Sequence, residues 1–162
     1  MRHGLGSEHP LCDKIQLLMI ALFFAVWGID TLSLFRFGYS TVLFEVLDFP
    51  AFFIGALVSV FFSFYLVSKS HKAVLEQVQE QPMLVDSGVY AWMRHPMYLG
   101  ILLFCLSFLF ISVSIVSCII LFGFFMFYNR MATYEEKSLI EILGEKYLAY
   151  QKRVSKWFPR LY

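Results

Sequence analysis

The sequence predicts an all-α polytopic membrane protein with about four membrane helices, the last two forming a short hairpin, followed by a cytosolic C-terminal helical segment. Three observations lead there. The 162 residues are 59% hydrophobic and only 15% charged, where soluble domains are about 45–50% apolar. The apolar residues gather into long uncharged runs, the mark of membrane spans. The charges between the runs are one-sided: an even number of spans puts 12 of the 13 Lys and Arg on one face and only Arg36 on the other. By the positive-inside rule that face is the cytosol, and both termini lie there. The chain reads as one domain, 1–162.

Each element follows in order. Residues 1–14 are a short polar tail, and the apolar run after them is too long for an ordinary signal peptide and lacks a small-residue cleavage site. Ile15 to Phe35 gives 21 residues, enough to cross a hydrocarbon core of about 30 Å at 1.5 Å per residue. Asp30 near its end is expected to play a helix-end role. After a connection from Arg36 to Asp48, Asp48 is placed to cap a helix with Pro50 in its first turn. That second span runs from about Phe49 to Val67. Ser68 to Arg94 is the longest polar stretch, broken by Pro82 and Gly88. Met97 to Asn129 then holds 33 uncharged residues. One straight helix of that length would be about 50 Å, too long for the bilayer. Two full spans would need about 40 residues. A short-armed hairpin turning near Ser112 to Ser117 fits. From Arg130 onward, Leu139, Leu143, Tyr147, Tyr150 and Val154 recur at helical steps, giving an amphipathic stripe that Gly144 divides into two short helices.

Composition excludes several function classes. A formal net charge of +1 gives no basic surface for nucleic acid. Cys12, Cys105 and Cys118 lack CxxC or Cys/His spacing, so free thiols and no metal site are expected. No Ser/His/Asp or Cys/His nucleophile arrangement is visible. What remains is a set of polar residues at the cytosolic helix ends: Tyr90, the run Arg94-His95-Pro96-Met97-Tyr98-Leu99-Gly100, Arg130, and the pair Glu135-Glu136. Singly, such residues set topology or form the aromatic belt. Together they suggest a site, because the hairpin returns Glu135 to the level of His95. Pro96 suits a helix start, whose first amides are unpaired and carry the positive dipole end. With Arg94 and His95 beside them, that start is suited to an anionic group. Gly100 leaves room for a flat ligand or a neighbouring helix. The glutamates read either as an exposed helix N-terminus or as holders of an amino group or ribose hydroxyls. An anion-holding end facing a carboxylate suits a zwitterionic, amino-acid-like cofactor, and S-adenosylmethionine is of that type.

The stretch MLVDSGVYAWMRHPMYLG, Met83 to Gly100, resembles the signature of the isoprenylcysteine carboxyl methyltransferases, and so does EEKSLIEILGEKYLAYQKRV, Glu135 to Val154. The likeness covers about Leu66 to Val154. The RHPxYxG run with a following EE pair is shared with phospholipid methyltransferases and other small-molecule methyltransferases, while SGVYAW and LGEKYxxYxKRV favour the prenylcysteine branch. The resemblance implies an enzyme of the endoplasmic reticulum membrane that methylates the terminal carboxylate of prenylated cysteine in CaaX-processed proteins, with S-adenosylmethionine as cofactor. It implies cofactor contacts at His95, Pro96, Met97 and Tyr98, at Tyr90, and at Glu135. The family's four-residue cofactor loop falls on Pro82, Met83, Leu84 and Val85, with Pro82 where some members have histidine. A substrate-binding arginine precedes the family's glutamate by four residues. Here Arg130 precedes Glu135 by five, with Met131 at the four-residue position, and Arg130 is the counterpart the sequence offers. Only two helices precede the motif loop, as in the smaller members.

The implied reaction is a direct displacement by a carboxylate already ionised at neutral pH, its pKa being about 3.5; no general base is needed. The competing readings are a methyltransferase of a phospholipid amine or of a small thiol or acid, a sterol-type membrane reductase, against which the EE-containing tail argues, and a non-catalytic relative.

Overall fold

The computed structural model describes residues 12–37, 49–79, 84–111 and 115–159. Among them every regular element is helical: α1 (Cys12–Phe37), α2 (Phe49–Gln79), a 3₁₀ turn (Gly88–Ala91), α3 (Pro96–Leu109), α4 (Ile115–Leu143) and α5 (Glu145–Arg153). Three of these, α1, α2 and α4, are long and apolar enough to cross a membrane, whereas α3 is a shorter apolar helix of 14 residues. At 1.5 Å per residue α3 is about 21 Å long, short of the hydrocarbon thickness.

The long helices are apolar nearly all round, so much of their surface faces outward. Leu17, Leu22 and Ile29 of α1, Phe53, Leu57 and Phe61 of α2, and Ile119 and Phe122 of α4 are exposed, as befits sides turned to lipid. Lipid removes most of the hydrophobic drive between helices, leaving close packing and hydrogen bonds to hold them. The packing is visible where α3 meets α2. A Cβ added at Gly100 would lie 2.7 Å from Val67 Cγ2 and 3.2 Å from the Ser63 carbonyl oxygen. The room at Gly100 is therefore taken by a neighbouring helix. Ser59, Ser63 and Ser70 of α2 are buried, in keeping with the small residues that let membrane helices approach. On the other side of α3, Phe23 of α1 and Phe124 and Tyr128 of α4 join Tyr98, Leu102 and Cys105 in the central core. Trp27 Nε1 of α1 donates at 3.0 Å to the Phe108 carbonyl, which also accepts from the Ile111 N–H at 3.1 Å, so the turn after α3 is tied to α1.

Three expectations change. α2 continues past Val67 to Gln79, so the first part of the polar stretch is helix. Of the turn expected near Ser112 to Ser117, residues 112–114 lie outside the described residues, the chain already turns at Phe110 and Ile111, and Ile115–Ser117 belong to α4. α4 also does not stop at Asn129; it runs unbroken to Leu143. The apolar run ends there only because the helix passes from an apolar to a polar surrounding, while Met131, Ala132, Glu135, Glu136 and Lys137 are all helix formers or near it. The break at Gly144 is as expected, with φ +56°, a left-handed conformation that glycine adopts without strain. α5 then folds back. Its stripe, Tyr147, Tyr150 and Val154, is buried with Leu84, Leu139, Ile140 and Leu143. Asp48, Pro82 and Met83 lie outside the described residues. Cys105, buried, and Cys118, exposed, are free thiols.

Candidate functional site

The Leu66–Ser70 stretch of α2, the start of α3, the polar half of α4 and α5 surround one site. Pro96 is the first residue of α3, and His95 precedes it with φ −125° and ψ 59°. A proline at this position fixes the helix start without losing a hydrogen bond. His95 is 7% exposed and Pro96 is fully buried. The imidazole lies between two carboxylates of α4: Nε2 is 3.0 Å from Glu136 Oε1, and Nδ1 is 3.6 Å from Glu135 Oε2. The Tyr98 hydroxyl donates to Glu135 Oε1. Arg94 Nε lies 3.2 Å from Glu136 Oε1, without the alignment of a hydrogen bond. Gln151 Nε2 of α5 reaches Glu136 Oε2 at 3.3 Å.

Glu136 is thus the common partner of Arg94, His95 and Gln151. Of the donors expected at the helix start, the Arg94 and His95 side chains face the protein's own buried carboxylate, Glu136. The glutamates are likewise in the middle of α4 and not at a helix beginning, because α4 continues through them. Burial pushes the His95 pKa below its ordinary value, helped by Lys156 and Arg94, and the hydrogen bond and charge of Glu136 only partly oppose this. The ring is neutral at pH 7. A neutral imidazole has one donor and one acceptor, and the shorter contact favours the hydrogen on Nε2, pointing at Glu136. Nδ1 then faces Glu135 as an acceptor beside an acceptor. Two acceptors so placed suit a shared donor, an ammonium or a hydroxyl.

The other sequence-derived residues surround this centre. Tyr90 is half-buried in the 3₁₀ turn. Its backbone carbonyl accepts from the Tyr150 hydroxyl at 2.7 Å. Its own phenol is pushed up to about 12, chiefly by burial, with a hydrogen bond to Ser70 opposing and the charge of Glu135 adding. Met97 is half-buried at the start of α3. Val85 is half-buried, and Leu84 packs against the α5 cluster. Beneath His95 the rings of Tyr98, Tyr128 and Phe124 stack at 4.6 and 4.7 Å between centroids, carrying the site down into the core. Arg130 is exposed, while Met131 and Ala132 beside it are buried. One step on a helix turns a side chain by about 100°, and among the described residues no contact joins Arg130 to the His95 cluster.

Sequence reasoning gave Glu136 a lesser place than Glu135, although the two are adjacent. It missed Asn129, Lys156 and Trp157. The Lys-Trp pair after the amphipathic stripe was the available signal, a cation and an indole where α5 ends.

Comparison with known proteins agrees with the motifs. The family described as phospholipid methyltransferase matches residues 46–146. Protein-S-isoprenylcysteine O-methyltransferase of Homo sapiens is 34% identical over 98 residues, covering 57% of this chain and 33% of that protein. The protein of the same name from Saccharomyces cerevisiae is 33% identical over 78 residues, 48% of this chain and 33% of its own length. Methanethiol S-methyltransferase of a Pseudomonas species is 28% identical over 153 residues, 88% of this chain and 46% of its own. The chain spans about a third of the length of the human and yeast relatives.

Proposed function

The chain belongs to the phospholipid methyltransferase family, and from that premise we propose that it is a membrane methyltransferase of the endoplasmic reticulum that esterifies the terminal carboxylate of prenylated cysteine in CaaX-processed proteins, with S-adenosylmethionine as methyl donor and both termini in the cytosol. The observation that carries this reading is the His95–Glu135–Tyr98 cluster, mounted at the end of apolar helices where a lipid-anchored acceptor and a water-soluble cofactor both have access.

The residues present fit the cofactor. The facing acceptors, His95 Nδ1 and Glu135 Oε2 at 3.6 Å, suit its ammonium or its ribose hydroxyls, and the start of α3 at Pro96, Met97 and Tyr98 lies beside them. Tyr90, Leu84, Val85 and Met83 complete the proposed binding set. When bound, S-adenosylmethionine supplies a methyl group on a positively charged sulfur, open to direct displacement by an anionic oxygen or sulfur. The acceptor carboxylate is ionised at pH 7, so no side chain need remove a proton. The protein's share is alignment, which is worth about 7–11 kcal/mol in favourable cases, and the exclusion of water by the buried cluster. Arg130, exposed at the level where α4 leaves the apolar layer, is assigned the orientation of the acceptor carboxylate.

The long match to the methanethiol enzyme favours a second reading, a small thiol as acceptor, because it extends over 88% of this chain. One assay separates the two. Membranes containing the protein receive methyl-labelled S-adenosylmethionine with an S-farnesylcysteine analogue, methanethiol or phosphatidylethanolamine. Base-labile methyl ester formed only with the prenylated acid supports the first reading. Volatile labelled dimethyl sulfide with methanethiol supports the second, and labelled phospholipid overturns both.

A further inference from the structure

We propose that Trp157 is a positioning residue for this site, its indole holding the imidazole of His95 in the orientation that meets Glu135 and Glu136. Because the site is the one assigned above to the cofactor, the inference rests on that reading for its binding arm alone.

The need for such a residue comes from the histidine itself. The second side-chain torsion of His is broad and roughly two-fold, so the backbone at the start of α3 does not fix where the ring nitrogens point. A modest rotation would move Nε2 away from Glu136 and Nδ1 away from Glu135. Neighbours must set the angle.

The segment Val154–Trp157 is built to do so. It runs beside the motif turn through a parallel bridge between Met93 and Ser155. The Arg94 N–H donates to the Ser155 carbonyl at 2.9 Å, and the His95 N–H donates to the Lys156 carbonyl at 3.3 Å. Both main-chain donors immediately before Pro96 are thereby held. Side chains then fasten the segment to α4. Lys156 Nζ donates to the Asn129 carbonyl at 3.0 Å and to Thr133 Oγ1 at 2.7 Å. Trp157 Nε1 donates to Asn129 Oδ1 at 3.1 Å. So anchored, the indole is half-buried with its ring 5.3 Å from Phe125 and 6.0 Å from His95. The imidazole also stacks on Tyr98 at 5.7 Å, 4° from parallel. Its aromatic neighbours therefore come from α3 and from this segment, while the groups facing its nitrogens and charge are Glu135 and Glu136 of α4, Lys156 of the segment, and Arg94.

The test uses full-length protein in nanodiscs, labelled with ¹⁵N-histidine, the His95 signal being identified by its absence in His95→Gln. Trp157→Leu removes the ring, and Trp157→Phe keeps an aromatic surface there. In Trp157→Leu the His95 titration midpoint rises toward the ordinary value of about 6.5 as water reaches the ring. S-adenosylhomocysteine binding by calorimetry weakens by about tenfold, comparable to losing one or two hydrogen bonds. Trp157→Phe recovers most of both. An unchanged His95 midpoint in folded Trp157→Leu overturns the proposal; should that variant not fold, Trp157→Met takes its place with the same expected shift. If the parent binds no S-adenosylhomocysteine and yet the His95 midpoint moves in the variant, the positioning role stands and the functional reading falls.

Discussion

Nε2 of His95 and Oε1 of Glu136, 41 positions apart in the chain, meet at 3.0 Å in a buried setting. The contact joins the start of α3 to the middle of α4, and Arg94 and Gln151 converge on the same carboxylate. Removing one partner of a buried charged cluster costs far more than the cluster contributes, since the groups left behind cannot be rehydrated. Glu136→Ala should therefore lower stability by about 3–5 kcal/mol. Glu136→Gln, which keeps a hydrogen-bond acceptor without the charge, should cost less. Thermal unfolding in detergent, followed by loss of the monodisperse peak, measures both; equal and small losses would mean that the cluster is not a structural joint.

The same histidine gives the protein a pH response. Burial lowers its pKa in the folded chain, so between that value and about 6.5 the unfolded chain binds more protons than the folded one. Stability from neutral His95 is then fully present above about pH 6.5 and is lost as pH falls toward the folded pKa. The midpoint temperature should be flat from pH 8 to 7 and decline below 6.5, and His95→Gln should flatten that decline. A variant with the same slope as the parent would place the titrating group elsewhere.

How much of this was legible beforehand depends on the range of the contact. Pro96 at a helix start, the break at Gly144 and the stripe from Leu139 to Val154 are local signals of proline, glycine and periodicity, and each reappears in the fold. The passage of α4 through Asn129 is not local in that sense. A change from all-round apolar to amphipathic pattern marks where a helix leaves an apolar surrounding, and it looks the same as a helix end. Reading it as an end made Glu135 and Glu136 a helix beginning. That His95 would meet this pair followed from the hairpin; that Glu136 would take up Arg94 as well did not. The Trp157–Asn129 bond and the pairing of Ser155 with Met93 are long-range, and nothing in the periodicity of either segment announces them.

Gly100 tests the packing that delivers His95 to the site. Its absent side chain lets α3 lie on α2, and a methyl there would meet Val67 Cγ2 at 2.7 Å and the Ser63 backbone oxygen at 3.2 Å. Gly100→Ala should cost about 1–3 kcal/mol by overpacking. Part of that should return in Gly100→Ala/Val67→Ala, where the nearer obstacle is gone but the backbone oxygen remains. Additive effects in this double-mutant cycle would show that the two positions do not share the contact.

On the reading proposed above, Glu135 serves the cofactor and Arg130 the acceptor. Glu135 touches His95 and Tyr98, whereas Arg130 is exposed. Their losses should fall on different constants. Glu135→Ala should weaken S-adenosylhomocysteine binding by at least about tenfold, the effect of losing a charged hydrogen-bonding partner. Arg130→Ala should leave that binding within about twofold and raise the KM for a prenylated carboxylate acceptor, since an exposed charge acts on encounter and orientation more than on the buried site. If the acceptor is instead a small neutral thiol, Arg130→Ala should leave its KM unchanged, because there is no carboxylate to orient; measuring both acceptors with the one variant decides which substrate the arginine serves.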